Sequence, residues 1–86
     1  MYLKGDLAIS ECGRDMGRLF MITEIIDENY VMIADGSKRK LEKPKKKKLK
    51  HLKYFGKPDK KFLSALFEGK MTNRLLKKAL KSDSMS

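Results

Sequence analysis

Apolar residues recur with a period of two in the first third of the chain and with a helical period in the last third. In Gly5-Asp6-Leu7-Ala8-Ile9, Leu7 and Ile9 alternate toward one side, which predicts a short first strand. Ser10 to Gly17 carries two glycines and reads as a sharply bent loop. Leu19 to Ile26 predicts a longer second strand: Phe20, Ile22 and Glu24 share one face, and Leu19, Met21, Thr23 and Ile25 the other. Apolar residues on both faces imply a strand covered from two sides, as in a small barrel. Asp27-Glu28-Asn29 is the next turn, where Asn29 tolerates left-handed backbone. Tyr30 to Ala34 predicts a third strand. Asp35-Gly36 is the strongest hairpin signal, so Lys38 to Leu41 is expected to pair back as a fourth strand that Pro44 ends. A short strand or single turn anchored by Leu52 is expected over Lys50 to Lys53.

Beyond Gly56-Lys57-Pro58 the period changes. Phe62, Leu63, Leu66 and Phe67 form one helical face, with Asp59 favouring its start and Gly69 its stop. Leu75, Leu76, Ala79 and Leu80 repeat the spacing after Thr72, a good cap residue, while Arg74, Lys77, Lys78 and Lys81 lie mostly opposite. Ser82 to Ser86 is expected to fray. The apolar stripes either cover the β-structure and each other or form a docking face for a protein partner or second copy, and the basic side is free to add contacts to a polyanion. The pattern predicts a mainly β fold with one or two short C-terminal helices, divided into residues 1–55 and a helical extension over 56–86.

Charge changes the picture most. The 86 residues carry a formal net charge of +10, split as −4 over residues 1–37 and +14 over the remainder. Ten of the sixteen residues from Lys38 to Lys53 are Lys or Arg, opposed only by Glu42. Such density repels itself unless a polyanion compensates it, and nucleic acid is the commonest polyanion for a basic domain. A hydrophobic fraction of 41 % is enough for a core. Cys12 and His51 are each the sole residue of their type, so no intrachain disulfide forms and no Cys/His zinc set exists. No cofactor or metal is expected. The chain reads as soluble and cytoplasmic, with no membrane role.

Gly5-Asp6, Gly13-Arg14-Asp15-Met16-Gly17-Arg18, the apolar strand after it, Ile26-Asp27-Glu28-Asn29 and Val31-Met32-Ile33-Ala34-Asp35-Gly36 together resemble the KOW domain. The likeness is to its ribosomal-protein branch, large-subunit proteins of the archaeal and eukaryotic type with small relatives in Gram-positive bacteria. The Lys-Pro-Lys-Lys-Lys-Lys-Leu-Lys-His-Leu segment resembles the end of the domain in those small proteins. The resemblance covers residues 1–53. It implies an SH3-like five-stranded barrel and RNA binding in the context of translation, with Gly13, Arg14, Asp15, Gly17 and Arg18 approaching RNA from the motif loop. It says nothing about residues 58–86.

Two candidate sites follow. In the basic run, Lys38, Arg39, Lys40, Lys43, Lys45, Lys46, Lys47, Lys48, Lys50, His51 and Lys53 suit phosphate contact, since lysine is a mobile point charge rather than a reader of bases. The plainer reading is a solvated face that keeps the protein soluble. In the motif loop, Gly13 and Gly17 let backbone approach sugar-phosphate while Arg14 and Arg18 supply forked donors; Asp15 is a candidate to orient one of them. The plainer reading there is a tight turn with nothing bound. Tyr54 and Phe55 either stack a base or pack on the barrel or helix. No Gly-Lys-Ser/Thr follows the loop, and His51 has no carboxylate or nucleophile in a recognised spacing, so no enzyme is expected. The expected partner is ribosomal or other structured RNA, with the ribosome or another protein as further partners. The alternative is a protein-interaction adaptor of the translation or transcription machinery.

Overall fold

A computed structural model describes residues 1–84, with side chains placed through Lys81. The chain forms β1 (Leu7–Ser10), β2 (Leu19–Ile25), β3 (Tyr30–Ala34), β4 (Lys45–Lys48), a single 3-10 turn (Leu49–His51), β5 (Leu52–Gly56), α1 (Lys60–Phe67) and α2 (Asn73–Ser84). The five strands make one antiparallel sheet in the order β4-β3-β2-β1-β5. The two edge strands, β4 and β5, are therefore joined through just the three residues of the 3-10 turn. Leu49 N donates to the Asn29 carbonyl at 2.8 Å, and Glu11 N donates to the His51 carbonyl at 2.8 Å. That turn is thus tied to the loop ends on both sides.

The double-sided apolar pattern of β2 reflects two cores. On one face Leu7, Met21 and Ala34 pack with Phe62, Leu76, Ala79 and Leu80 from the helices. On the other, Ala8, Phe20, Ile22, Val31, Ile33 and Leu52 pack among themselves. A bulge between Ile22 and Glu24 ends the strict alternation and leaves Ile25 exposed. Burying a Leu or Phe contributes about 1.5–3 kcal/mol. The helices therefore add a second core, on the other face of the sheet from the one the strands build among themselves. The stripe residues Phe62, Leu76 and Leu80 lie inside it, whereas Phe67 remains exposed.

The helix ends follow the sequence closely. Thr72 caps α2, its Oγ1 accepting from Leu75 N at 3.1 Å and its carbonyl from Leu76 N at 2.8 Å. Gly69, at φ 71°, stops α1, and Lys70 N closes the end onto the Ala65 carbonyl at 2.7 Å. Asp59 caps α1 with its carbonyl, accepting from Phe62 N and Leu63 N, and not with its carboxylate. Helix α2 runs on to Ser84, past the point where fraying is expected; residues 85 and 86 lie outside the described residues.

Three expectations require correction. Lys38 to Leu41 is not a strand: β3 and β4 are joined by a ten-residue loop, 35–44. The reason is the Asp35 carboxylate, whose Oδ1 accepts from Ser37 N at 2.9 Å and Arg39 N at 2.8 Å. These bonds satisfy the backbone of a wide turn instead of a two-residue hairpin. Pro44 precedes the strand and does not end it, which suits a residue with no amide donor. Asn29 does not use the left-handed backbone it would tolerate: among the described residues only glycines have a positive φ. The Asp27 Oδ1 organises that turn by accepting from Asn29 N and Tyr30 N, both at 2.8 Å.

The 35–44 loop is held against α2. Asn73 Oδ1 accepts from Leu41 N at 2.8 Å, and Asn73 Nδ2 donates to Glu42 Oε1 at 2.7 Å. Gly36 sits at φ 79°, and a Cβ there would lie 2.5 Å from the Asn73 carbonyl oxygen. Gly36→Ala is expected to destabilise the protein by about 2 kcal/mol or more, from left-handed backbone plus the collision. Gly69→Ala has the same backbone problem but open space around it, so it should cost only about 1–2 kcal/mol. Chemical denaturation of the two variants checks this; equal losses would mean that the loop is not packed on α2.

Candidate nucleic-acid interface

The motif loop, residues 11–18, and the 35–44 loop meet across one end of the sheet. Between them lies a cleft of about 320 Å³ lined by Arg14, Asp15, Arg18, Phe20, Asp35, Lys38, Arg39 and Lys45. Gly13 and Gly17 adopt φ 84° and 85°, which only glycine does freely. They let Met16 N return to the Gly13 carbonyl and Gly17 N to the Ser10 carbonyl, closing the loop tightly.

Asp15 is the centre of this end of the molecule. Its Oδ1 accepts from Ser10 Oγ at 2.7 Å and Lys47 Nζ at 3.1 Å, and its Oδ2 accepts from Lys45 Nζ at 3.0 Å. Lys47 Nζ also donates to the Cys12 carbonyl at 3.0 Å. Burial by itself would raise the Asp15 pKa, but the Ser10 hydroxyl and the two ammonium groups outweigh it and hold the carboxyl well below its ordinary range. The Asp15 carboxylate does not orient an arginine, as the sequence suggests, but binds lysines of β4. Arg18 instead donates through Nη2 to Asp35 Oδ2 at 2.8 Å, tying the end of the motif loop to the start of the 35–44 loop.

The pleat divides the four lysines of β4. Lys45 and Lys47 turn toward Asp15, and Lys47 is only 7 % exposed. Lys46 and Lys48 turn to the opposite side, their Nζ atoms 4.6 and 5.8 Å from the centre of the Tyr30 ring. A run that reads as a single cationic strip is therefore two groups with different surroundings. Lys47 is internal and Lys45 half-buried; Lys46 is exposed and Lys48 half-buried.

The remaining predicted residues fall as follows. Arg14, Lys38, Arg39, Lys40 and Lys43 are exposed, and no carboxylate among the described residues pairs with them. Lys38, Arg39, Lys40 and Lys43 also border a second groove of about 270 Å³ with Glu42. Lys50 and Lys53 are exposed and His51 is half-buried, on or beside the 3-10 turn and away from the cleft-lining set. Tyr54 and Phe55 do not pack into the core; they are 51 % and 41 % exposed, with the Tyr54 ring 6.0 Å from that of Tyr2. Among the described residues no three His, Cys, Asp or Glu side chains gather in a metal-binding cluster. No described helix is long and apolar enough to cross a membrane.

Sequence reasoning missed the Ser10–Asp15–Lys45–Lys47 cluster, the Arg18–Asp35 pair and the Asn73 clamp. A period of two across Lys45 to Lys48 is the available signal for the first, once those residues are placed on a strand. Compared with models of known protein families, the chain matches none, and no curated protein matches it.

Asp15→Asn leaves the Lys47 ammonium in a buried site without its counter-charge. It is expected to destabilise the fold by about 3 kcal/mol at pH 7. Because the folded Asp15 pKa lies below the reference 3.8, its stabilising effect is complete above that value and is lost as pH falls beneath it. The gap between parent and variant should therefore narrow on acidification from about pH 5 to pH 2. A gap that is constant across that range would contradict the assignment.

Proposed function

We propose that this protein is a non-catalytic RNA-binding protein of KOW type, built on an SH3-like barrel, that acts on ribosomal or other structured RNA in translation. The observation that carries the reading is the cleft between the two loops. Arg14, Lys38 and Arg39 stand there exposed and unpaired by any described carboxylate, on loops fixed by Asp15 and Asp35. Cations held on a rigid frame without counter-charges bind a polyanion and release its condensed ions. Guanidinium groups in particular fork onto phosphate oxygens.

The barrel reading is supported by the link between the sheet edges. In a flat five-stranded sheet β4 and β5 would lie four spacings, about 19 Å, apart. A three-residue 3-10 turn rises only about 2 Å per residue. A sheet that curls brings its edges to that turn, and on this reading the cluster of Ala8, Phe20, Ile22, Val31, Ile33 and Leu52 is the inside of the curl.

The internal positions refine which lysines face RNA. Lys47 and Lys45 brace the motif loop, so their contribution to binding is indirect. Arg14, Lys38, Arg39, Lys40 and Lys43 make the direct contacts, with Lys46, Lys48, Lys50, His51 and Lys53 on neighbouring surface. Gly13 and Gly17 set the bends of the loop that carries Arg14 to the cleft, and Arg18 is shared between Asp35 and the ligand. Readout through phosphates is weakly sequence-specific. The protein works in the cytoplasm on this reading.

Binding of a structured RNA, measured between about 50 and 200 mM salt, should be steeply salt-dependent. Changing Lys38, Arg39 and Lys40 together to Gln should lower the slope of log affinity against log salt by about 2 and leave the unfolding midpoint nearly unchanged. An unaltered slope would show that the loop does not touch phosphate. Arg14→Ala should weaken binding about tenfold, the loss of one charge-assisted hydrogen bond, with little change in thermal stability. Full affinity in that variant would remove the motif loop from the interface.

A further inference from the structure

The helical extension lies outside the resemblance and outside the cleft, yet it carries a basic face continuous with the 35–44 loop. Between Glu68 and Asp83 the sequence contains no acidic residue and five basic ones. On α2, Leu76, Ala79 and Leu80 turn into the sheet and are buried, while Arg74, Lys77 and Lys78 are exposed. Side-chain contacts join this face to the loop rather than leaving it separate. Asn73 holds Leu41 N and Glu42, and a Cβ on Gly36 would stand 3.2 Å from Lys77 Cγ. Lys77 thus rises directly beside the turn that presents Lys38 and Arg39. Arg74 is one helical turn before it, on the same exposed side. No carboxylate among the described residues pairs with Arg74 or Lys77.

We propose that the outer face of α2, through Arg74 and Lys77, continues the phosphate-binding surface of the cleft, so that one RNA backbone leaving Lys38 and Arg39 runs onto the helix. This rests on the RNA-binding reading of the cleft and extends it to a segment that the family likeness leaves unassigned. Charge complementarity selects the occupant: closely spaced cations that outnumber the neighbouring Glu42 carboxylate repel one another and match the regular negative charge of a nucleic-acid strand. The helix has two roles on one element. Its inner face completes the core, and its outer face lengthens the footprint. The loop clamp at Asn73 keeps the two basic surfaces in register.

The test uses the full chain and a synthetic stem-loop RNA, with affinity measured across salt. The Arg74→Gln, Lys77→Gln double variant should lower the log–log slope by about 1.5, and the affinity at fixed low salt several-fold or more. Lys4 and Lys60 are exposed and lie on or against α1, Lys4 over the Phe67 ring. Lys4→Gln, Lys60→Gln removes the same net charge at α1 and should change the slope by less than half as much. A helix variant with the parent slope, in a protein whose loop variant has lost its own, overturns the extension and leaves the cleft reading standing. Equal effects from both double variants also overturn it, because they would report net charge alone. A parent protein that ignores the RNA in dilute buffer overturns the extension and the cleft reading together.

Discussion

The Asp15 carboxylate is the interaction on which the loop end of this protein, with the candidate site, depends. It sits in a glycine-bounded loop and accepts from Ser10, Lys45 and Lys47. A single anionic side chain thereby joins β1, the motif loop and β4, which are far apart in sequence. The same device recurs at Asp35, which binds Arg18 and the backbone of its own loop, and at Asp6, which accepts from Leu3 N and Lys57. Each of these carboxylates is buried and each belongs to the acidic segment of residues 1–37. Removing charges from water is costly unless hydrogen bonds and counter-charges compensate. Here they do: the basic remainder of the chain supplies Lys45, Lys47 and Lys57, and Arg18 comes from the acidic segment itself.

The uneven charge is therefore in part internal complementarity. The acidic segment holds four cations, Lys45, Lys47, Lys57 and Arg18, in place. Among the remaining cations, Lys38, Arg39, Lys40 and Lys43 stand exposed on the 35–44 loop and Arg74, Lys77 and Lys78 on the outer side of α2. The loop is held at one end by Asp35 and at the other by Asn73. A positively charged loop braced in this way loses little conformational entropy when it meets an anion, and preorganisation of this kind favours affinity.

Much of this fold was legible in the sequence. The third strand has the expected ends, the second differs by one residue, and Thr72 and Gly69 act as cap and stop. Hydrophobic period and local backbone chemistry determine those features, and both are local. The fourth strand was not legible. Four consecutive lysines have weak strand propensity, and their pairing with Tyr30 to Ile33 is set by the shape of a ten-residue loop and by a carboxylate thirty residues earlier. The Asp35-Gly36 signal was correct as a turn but not as a hairpin, since dipeptide identity does not tell what the aspartate side chain will bind. At the candidate site, Arg14, Lys38 and Arg39 were legible because exposure follows from charge. The inward direction of Lys47 was not, because it depends on strand register.

The central claim is that fixed loops present Arg14, Lys38 and Arg39 to an RNA backbone while buried carboxylates keep the inner lysines for the fold. A nuclear magnetic resonance titration of the isotope-labelled protein with a structured RNA tests it most directly. The account predicts shifts concentrated on the amides of Gly13 to Arg18 and Ser37 to Lys40, with the Tyr2, Tyr54 and Lys57 corner unmoved. Shifts confined to that corner, or a spectrum that does not change in dilute buffer, would contradict it.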